Sequence, residues 1–247
     1  KFISFWNNNN ITLAPKTITL KDAIKKFRTN LQKQKLKQTT IARKLSCFNS
    51  YERFCQTQGI HLQLELVRPY VPMKTPQSLT VDEMNFLLDT ITIEQIPSQK
   101  PYRDRAIFEL LYATGILCSE LINIQVGHIN LENCSIAIHR PRKKHRIVYF
   151  SAQAQQKLKL YMQHERKNVE KTNEFFFLNY RYQPLTSRSI QRICNMFGNF
   201  LSTKKIITPH LLRHSFALHL IEQGTKSTLV QELLGFSSRA SIEKYLQ

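Results

Sequence analysis

The stretch TPHLLRHSFALHLIEQGTKSTLVQELLGFSSRASIEKY, residues 208 to 245, carries the most specific pattern in the chain. Pro209 is suited to start a helix and places His210 in its first turn, with Arg213 three residues on and on the same face. A helix N-terminus, an imidazole and a guanidinium together make an anion site. By spacing alone, the same pair also fits an ordinary solvated helix surface.

The composition says which anion to expect. Among 247 residues, 36 are Lys or Arg and 17 are Asp or Glu, for a formal charge of +19 and a pI near 9.9. That excess is far beyond what solubility needs and points to a polyanionic partner, chiefly nucleic acid. An anionic membrane surface is the weaker rival, because no single basic amphipathic helix with exposed Trp or Phe stands out. No window approaches the roughly 18 uninterrupted apolar residues of a membrane span, and the start KFISFWNNNN lacks the order of a secretory signal. The absence of Met at position 1 suggests a fragment. Five scattered cysteines, none in a C-x-x-C pair, indicate neither a disulfide framework nor a zinc site, and fit a reducing cytoplasm.

Upstream, residues 19 to 59 read as helices, with Ile41, Leu45, Phe48 and then Tyr51, Phe54, Cys55 at three-to-four-residue spacing and Thr39 or Thr40 available as an N-cap. From Lys21 to Arg53 ten basic residues, Arg43 and Lys44 among them, face only Asp22 and Glu52, which favours phosphate contact over a mixed solvated surface. Three prolines in VRPYVPMKTPQ, residues 67 to 77, mark an extended linker. The expected organisation is a helical domain over 16–66, a linker over 67–77 and a second domain over 78–247.

In the second domain, Thr80 and Glu83 have capping-box spacing, and a longer helix is predicted over Tyr102 to Tyr112 with Ala106, Ile107, Leu110 and Leu111 as its apolar stripe and Gly115 as its stop. The period then changes. SIAIHRPRKKHRIVYF reads as two strands, Ile136 to Ile138 and Ile147 to Phe150, around a hairpin carrying Arg140, Arg142, Lys143, Lys144 and Arg146 without an acid. A helix is expected near Ala154 to Arg166, a further strand at EFFFLN, a helix from Ser187 through Leu201, and a helical block from Pro209 to the end. The fold class is therefore mainly α with a small β-sheet, α+β overall, in two domains.

Several segments, in order, resemble the tyrosine site-specific recombinases, with the Xer-type bacterial recombinases and phage integrases the nearest in pattern. They are RDRAIFELLYATG at 103 to 115, SEL at 119 to 121, FLNYRYQPLTSRSIQRI at 177 to 193, HLLRHSFALHLIEQG at 210 to 224, and VQELLGFSS at 230 to 238 followed by Tyr245. The basic helical unit and proline linker are similar to that family's core-binding domain and connector, so the likeness covers the chain after about residue 16. It implies a C-shaped clamp on double-stranded DNA, in which a tyrosine hydroxyl attacks a scissile phosphate to give a 3′-phosphotyrosyl link and a free 5′-hydroxyl. One phosphodiester is exchanged for another, so the resemblance implies no cofactor and no metal. It also implies self-assembly into a tetramer on DNA, or pairing with a related recombinase, and no membrane partner.

By the same resemblance Tyr245 is the nucleophile, and Arg213 and His210 hold the nonbridging oxygens, with His210 able to move a proton. His214 and Ser215 are assigned to helix packing and to support of the catalytic groups. The general acid belongs in the basic hairpin as Lys143 or Lys144, since Pro141 falls where the family has its glycine-flanked lysine. Expected DNA contacts are Arg140, Arg142, Lys144 and Arg146, Arg188 and Arg192 on the following helix, and Arg43 and Lys44 in the first domain.

Two positions depart from the family pattern. Phe236 stands where a His or Trp usually supplies a ring N–H. In ATGILCSEL, residues 113 to 121, Leu117 takes the place of the first catalytic arginine. Arg142 or Lys143 is the candidate replacement cation. Two readings follow: a recombinase that cleaves and rejoins strands, alone or with a partner, and a silent recombinase-fold protein that binds a DNA site without cutting.

Overall fold

The computed structural model describes residues 20–64, 66, 77–139, 145–167, 173–236, 240–243 and 245. They fall into two units, Lys1–Lys74 and Thr75–Gln247.

In the first unit, α1 (Leu20–Lys33) and α2 (Gln38–Thr57) pack through Ile24, Phe27 and Leu31 on one side and Ile41 and Leu45 on the other, with Leu64 returning to close the core. Each such burial is worth roughly 1.5 to 3 kcal/mol. Glu52 fixes the returning chain by accepting from the Leu64 N–H at 2.8 Å. The expected apolar stripe on α2 stops early, because Tyr51 and Phe54 are exposed and only Cys55 is buried. Nor does a threonine cap α2, whose N-cap position is Lys37, without a side-chain bond.

In the second unit the capping box forms, Thr80 Oγ1 accepting from Glu83 N (3.2 Å) and Glu83 Oε2 from Thr80 N (3.0 Å), at the head of α3 (Val81–Asn85). A π-helical turn, Phe86–Thr90, follows. The long helix α4 (Pro101–Thr114) is buried on all sides rather than along one stripe, since α6 (Ala152–His164), α7 (Ser187–Gly198) and α8 (Pro209–Glu222) all pack against it. Its charges are consequently buried too. Arg103 donates to Asp104 and to Leu178 O, and Arg105 donates to the carbonyls of Leu87, Leu88 and Ile91, where the π-turn leaves them without helical partners.

Burial pushes the Glu109 carboxyl above its ordinary range and the Arg105 guanidinium below its own, the two lying 3.5 Å apart. Arg105→Met therefore leaves a buried acid without its counter-ion and is expected to cost about 3 to 5 kcal/mol in chemical denaturation. The double variant with Glu109→Leu should recover much of that loss.

The sheet is three-stranded and antiparallel in the order β1 (Ile129–Asn130), β2 (Ser135–Ile138), β3 (Arg146–Tyr149), with Ile136 opposite Val148 and Ile138 opposite Arg146. Ile136, Ile138 and Val148 face the core. EFFFLN does not become a ladder strand. It makes single bridges, Gln125 to Phe175 and Leu178 to Pro184, because α6 and the turn after it capture its backbone. Arg166 donates to the carbonyls of Asn173, Phe175 and Phe176, and the Tyr161 hydroxyl donates to Phe176 O.

Gly115 ends α4 in the left-handed region at φ 58°. A Cβ there would meet Phe216 at 2.6 Å and Leu234 at 2.7 Å, so only glycine lets the chain turn this close to α8. Beyond it come α5 (Cys118–Leu121), and at the C-terminal side α9 (Ser227–Leu234) and α10 (Ala240–Glu243). Ala217, Val230, Leu234, Ile242 and Tyr245 make a separate small core there.

Candidate active site

The site is built on α8. Thr208 caps it by accepting from Leu211 N at 3.1 Å, and Pro209 occupies its first turn. His210 is exposed in that turn, while Arg213 is only 4% exposed. Arg213 Nη1 donates to Gly115 O and Nη2 to Leu234 O (2.7 Å), so this guanidinium ties the glycine turn of the first motif to the end of α9. Arg213 is thus turned inward, and His210 outward.

The end of α9 holds a second guanidinium. Arg146 Nε donates to Leu233 O at 3.0 Å, one residue before the carbonyl taken by Arg213. Helix C-terminal carbonyls lack intrahelical donors and carry partial negative charge, so two cations there satisfy both needs. The rest of the Arg146 fork is bidentate on Glu120, 2.8 and 3.0 Å, and Glu120 Oε2 also accepts from the Leu117 N–H at 2.8 Å. Arg146, expected among the DNA contacts, is therefore an inward strut between β3, α5 and α9. The strand register explains it: Arg146 pairs with buried Ile138 and so shares the core face.

Tyr245 is 5% exposed and its hydroxyl is hydrogen-bonded to His214 Nδ1. Burial pushes its phenol up to about 12, and the positive charge of Arg213 acts against that rise. Phe236 links the two groups. Its ring lies 4.8 Å from the Arg213 guanidinium carbon and stacks with Tyr245 at a 6.5 Å centroid separation. Where the family pattern has a ring N–H, this chain places a ring face against a cation.

Leu117 is half-buried at the N-cap position of α5. It contributes its backbone to the site and no charge. Arg140, Arg142, Lys143 and Lys144, which include the expected general acid, lie outside the described residues. Arg188 and Arg192 are exposed together on α7, opposite its buried Ile190, Ile193, Cys194 and Phe197. On α2, Arg43 is exposed and Lys44 half-exposed.

Three features escape a reading by motif. His214, expected in packing and in support of the catalytic groups, is bonded directly to Tyr245; its i,i+4 relation to His210, which places both imidazoles on one face, is the available signal. At the root of the hairpin, His139 lies 4.4 Å from His128, tilted, and 4.8 Å from His145, edge to face, and burial together with His139 pushes the His128 imidazole down. Ahead of α7, Tyr180 and Tyr182 are exposed under Arg181 and Lys100 respectively, an aromatic-basic tip leading into the arginine face. No group of three or more His, Cys, Asp or Glu among the described residues is placed to hold a metal ion.

The sequence profile of the phage integrase family matches residues 77–247. Tyrosine recombinase XerC of Staphylococcus haemolyticus is 34% identical over 234 residues, 93% of this chain and 77% of that protein. Tyrosine recombinase XerC of Oceanobacillus iheyensis is 35% identical over 237 residues, 92% of this chain and 76% of that protein. Among solved structures, the XerH site-specific recombinase bound to its difH substrate in a pre-cleavage complex aligns over all of this chain and 73% of its own, with a TM-score of 0.70 and 24% identity. With an inward arginine, a tyrosine beside it and motifs in the family's order, the chain belongs to the phage integrase family of tyrosine recombinases.

Proposed function

We propose that this protein cleaves and rejoins DNA strands, with Tyr245 attacking a scissile phosphate to give a 3′-phosphotyrosyl link that a 5′-hydroxyl later resolves. The observation that carries the reading is the cluster itself: the Tyr245 hydroxyl bonded to an imidazole, with the Arg213 cation acting on the same phenol, on a chain with a +19 charge. An alkyl or aryl oxygen nucleophile needs a base beside it and positive charge where the phosphate will lie. Arg213 and His210 are the proposed phosphate ligands, Lys143 or Lys144 the general acid. The relatives' names support the assignment of reaction, and the structural likeness supports the fold.

Duplex contact is assigned to Arg188 and Arg192 on α7, to the basic hairpin, and to Arg43 and Lys44 on the first unit, which takes the part of a core-binding domain over about residues 16–66. Assembly on DNA as a tetramer, or beside a related recombinase, belongs to the same proposal, as does action in the cytoplasm. No helix among the described residues is long and apolar enough to cross a membrane.

The test is covalent capture. A pool of nicked duplexes of randomised sequence is incubated with the protein, and adducts that survive denaturation are recovered and sequenced. Recovery of one sequence class on Tyr245 supports the enzyme. No adduct from the native chain, with one appearing in Leu117→Arg, would establish the silent-scaffold reading in its place.

A second expectation concerns salt. If six to ten phosphates are neutralised, affinity for duplex should fall by about 10³ to 10⁵ between 50 and 200 mM salt. Titration by fluorescence anisotropy reads this directly, and a flat response would sink the DNA reading.

A further inference from the structure

We propose that His214 is the base that takes the phenolic proton of Tyr245 during strand cleavage, a role distinct from that of His210. The inference rests on Tyr245 being the nucleophile. Its geometric basis is the hydrogen bond between His214 Nδ1 and the Tyr245 hydroxyl, with the two rings 5.4 Å apart. For Nδ1 to accept, the imidazole carries its proton on Nε2.

Burial and the groups described around the phenol favour this route. Tyr245 is buried, which separates it from bulk water. Arg213 can stabilise a developing phenolate but accepts no proton, and the Phe236 ring offers no acceptor. With its phenol pushed to about 12, Tyr245 would be ionised to only about one part in 10⁵ at pH 7, so spontaneous ionisation is a poor route to attack. His210 lies exposed in the first turn of α8, whereas the bond to the Tyr245 hydroxyl is made by His214. His214 stands one turn further in.

The step balances within the groups named. Tyr245 Oη bonds to phosphorus, the phosphorus–O5′ bond breaks, the phenolic proton passes to His214 Nδ1, and the departing 5′-oxygen takes a proton from Lys143 or Lys144. Rejoining runs the same transfers backward and returns each proton to its owner. A positioned base is worth typically about 10² to 10⁴ in rate.

The experiment is single-turnover cleavage of the nicked duplex recovered by covalent capture, using the full chain. His214→Ala should cleave about 10² to 10⁴ times more slowly, with duplex affinity changed less than about twofold and with partial rescue by added imidazole. His214→Gln keeps a hydrogen-bonding side chain of similar reach but no usable base, so it should be as slow as His214→Ala without being a folding defect. The native rate should rise with pH as the accepting imidazole loses its proton, and that limb should vanish in His214→Gln. Among the described residues, the titratable and charged groups beside His214 on its own helix or bonded to it are His210 one turn before it, Arg213 next to it and Tyr245; His210→Gln, which lowers the rate by removing a phosphate ligand, should keep the pH limb in place. Native-rate cleavage by either His214 variant overturns the proposal while leaving the nucleophile intact. Faster cleavage also overturns it, by making His214 a latch that holds Tyr245 back. If neither the native chain nor Leu117→Arg forms an adduct, the nucleophile reading fails and takes this inference with it.

Discussion

Tyr245→Phe should abolish the covalent adduct, a loss of at least about 10⁴-fold, while leaving duplex affinity and the fold almost unchanged. Removing a nucleophile removes the intermediate and not merely one stabilising contact. The substitution is conservative in packing, because the ring keeps its place among Ala217, Val230, Leu234 and Ile242 and its stacking with Phe236. What is lost in the ground state is the hydrogen bond to His214, worth about 1 kcal/mol. Denaturing electrophoresis of labelled nicked duplex reads the adduct, anisotropy reads affinity, and thermal unfolding reads stability. An adduct of undiminished yield in Tyr245→Phe would place the covalent link on another residue and sink the assignment.

Leu117→Arg should accelerate cleavage by about 10² to 10⁵, the range spanned by a lost oxyanion donor and a lost phosphoryl-clamping arginine. The backbone around the substitution is already organised for a cation. Leu117 lies two residues beyond Gly115, whose carbonyl Arg213 holds, and its own N–H is fixed by Glu120. A guanidinium at 117 would join Arg213 and Arg146 in one neighbourhood, so a modest loss of stability in free protein should be relieved by DNA. The same nicked-duplex assay measures the gain. A change smaller than about threefold would mean that another cation already serves that phosphate, and Arg142→Ala and Lys143→Ala, made one at a time, would then locate it.

Much of this architecture is legible in the residues because local chemistry and tertiary packing agree. Thr80 and Glu83 form their box, Gly115 takes the left-handed turn, Pro209 opens α8, and the two hairpin strands pair with each other. The departures share one physical cause, which is that a partner's reach does not appear in a residue's own neighbourhood. EFFFLN has strand composition, yet Arg166 and Tyr161 take the carbonyls a neighbouring strand would need. Tyr51 and Phe54 continue the helical stripe of α2, yet both are exposed.

The site shows the same division. Tyr245, Arg213 and His210 are singled out by their resemblance to the family's motifs, whereas the way their side chains turn is not legible there. Arg146 looks like one more phosphate ligand in a basic run, and only the pairing of Ile138 with Arg146 turns it toward Glu120. His214 looks like filler beside Arg213, and only the return of the C-terminal segment gives it Tyr245.

One pair of contacts on α8 has a mechanical consequence. Ser215 Oγ accepts from Leu79 N, and His219, one turn later, donates from Nε2 to Leu79 O while Tyr112 donates to its Nδ1, each at 2.8 Å. Leu79 is thus riveted by both its peptide groups to the helix that bears Arg213 and His214. Tension arriving at Leu79 is therefore borne first by α8.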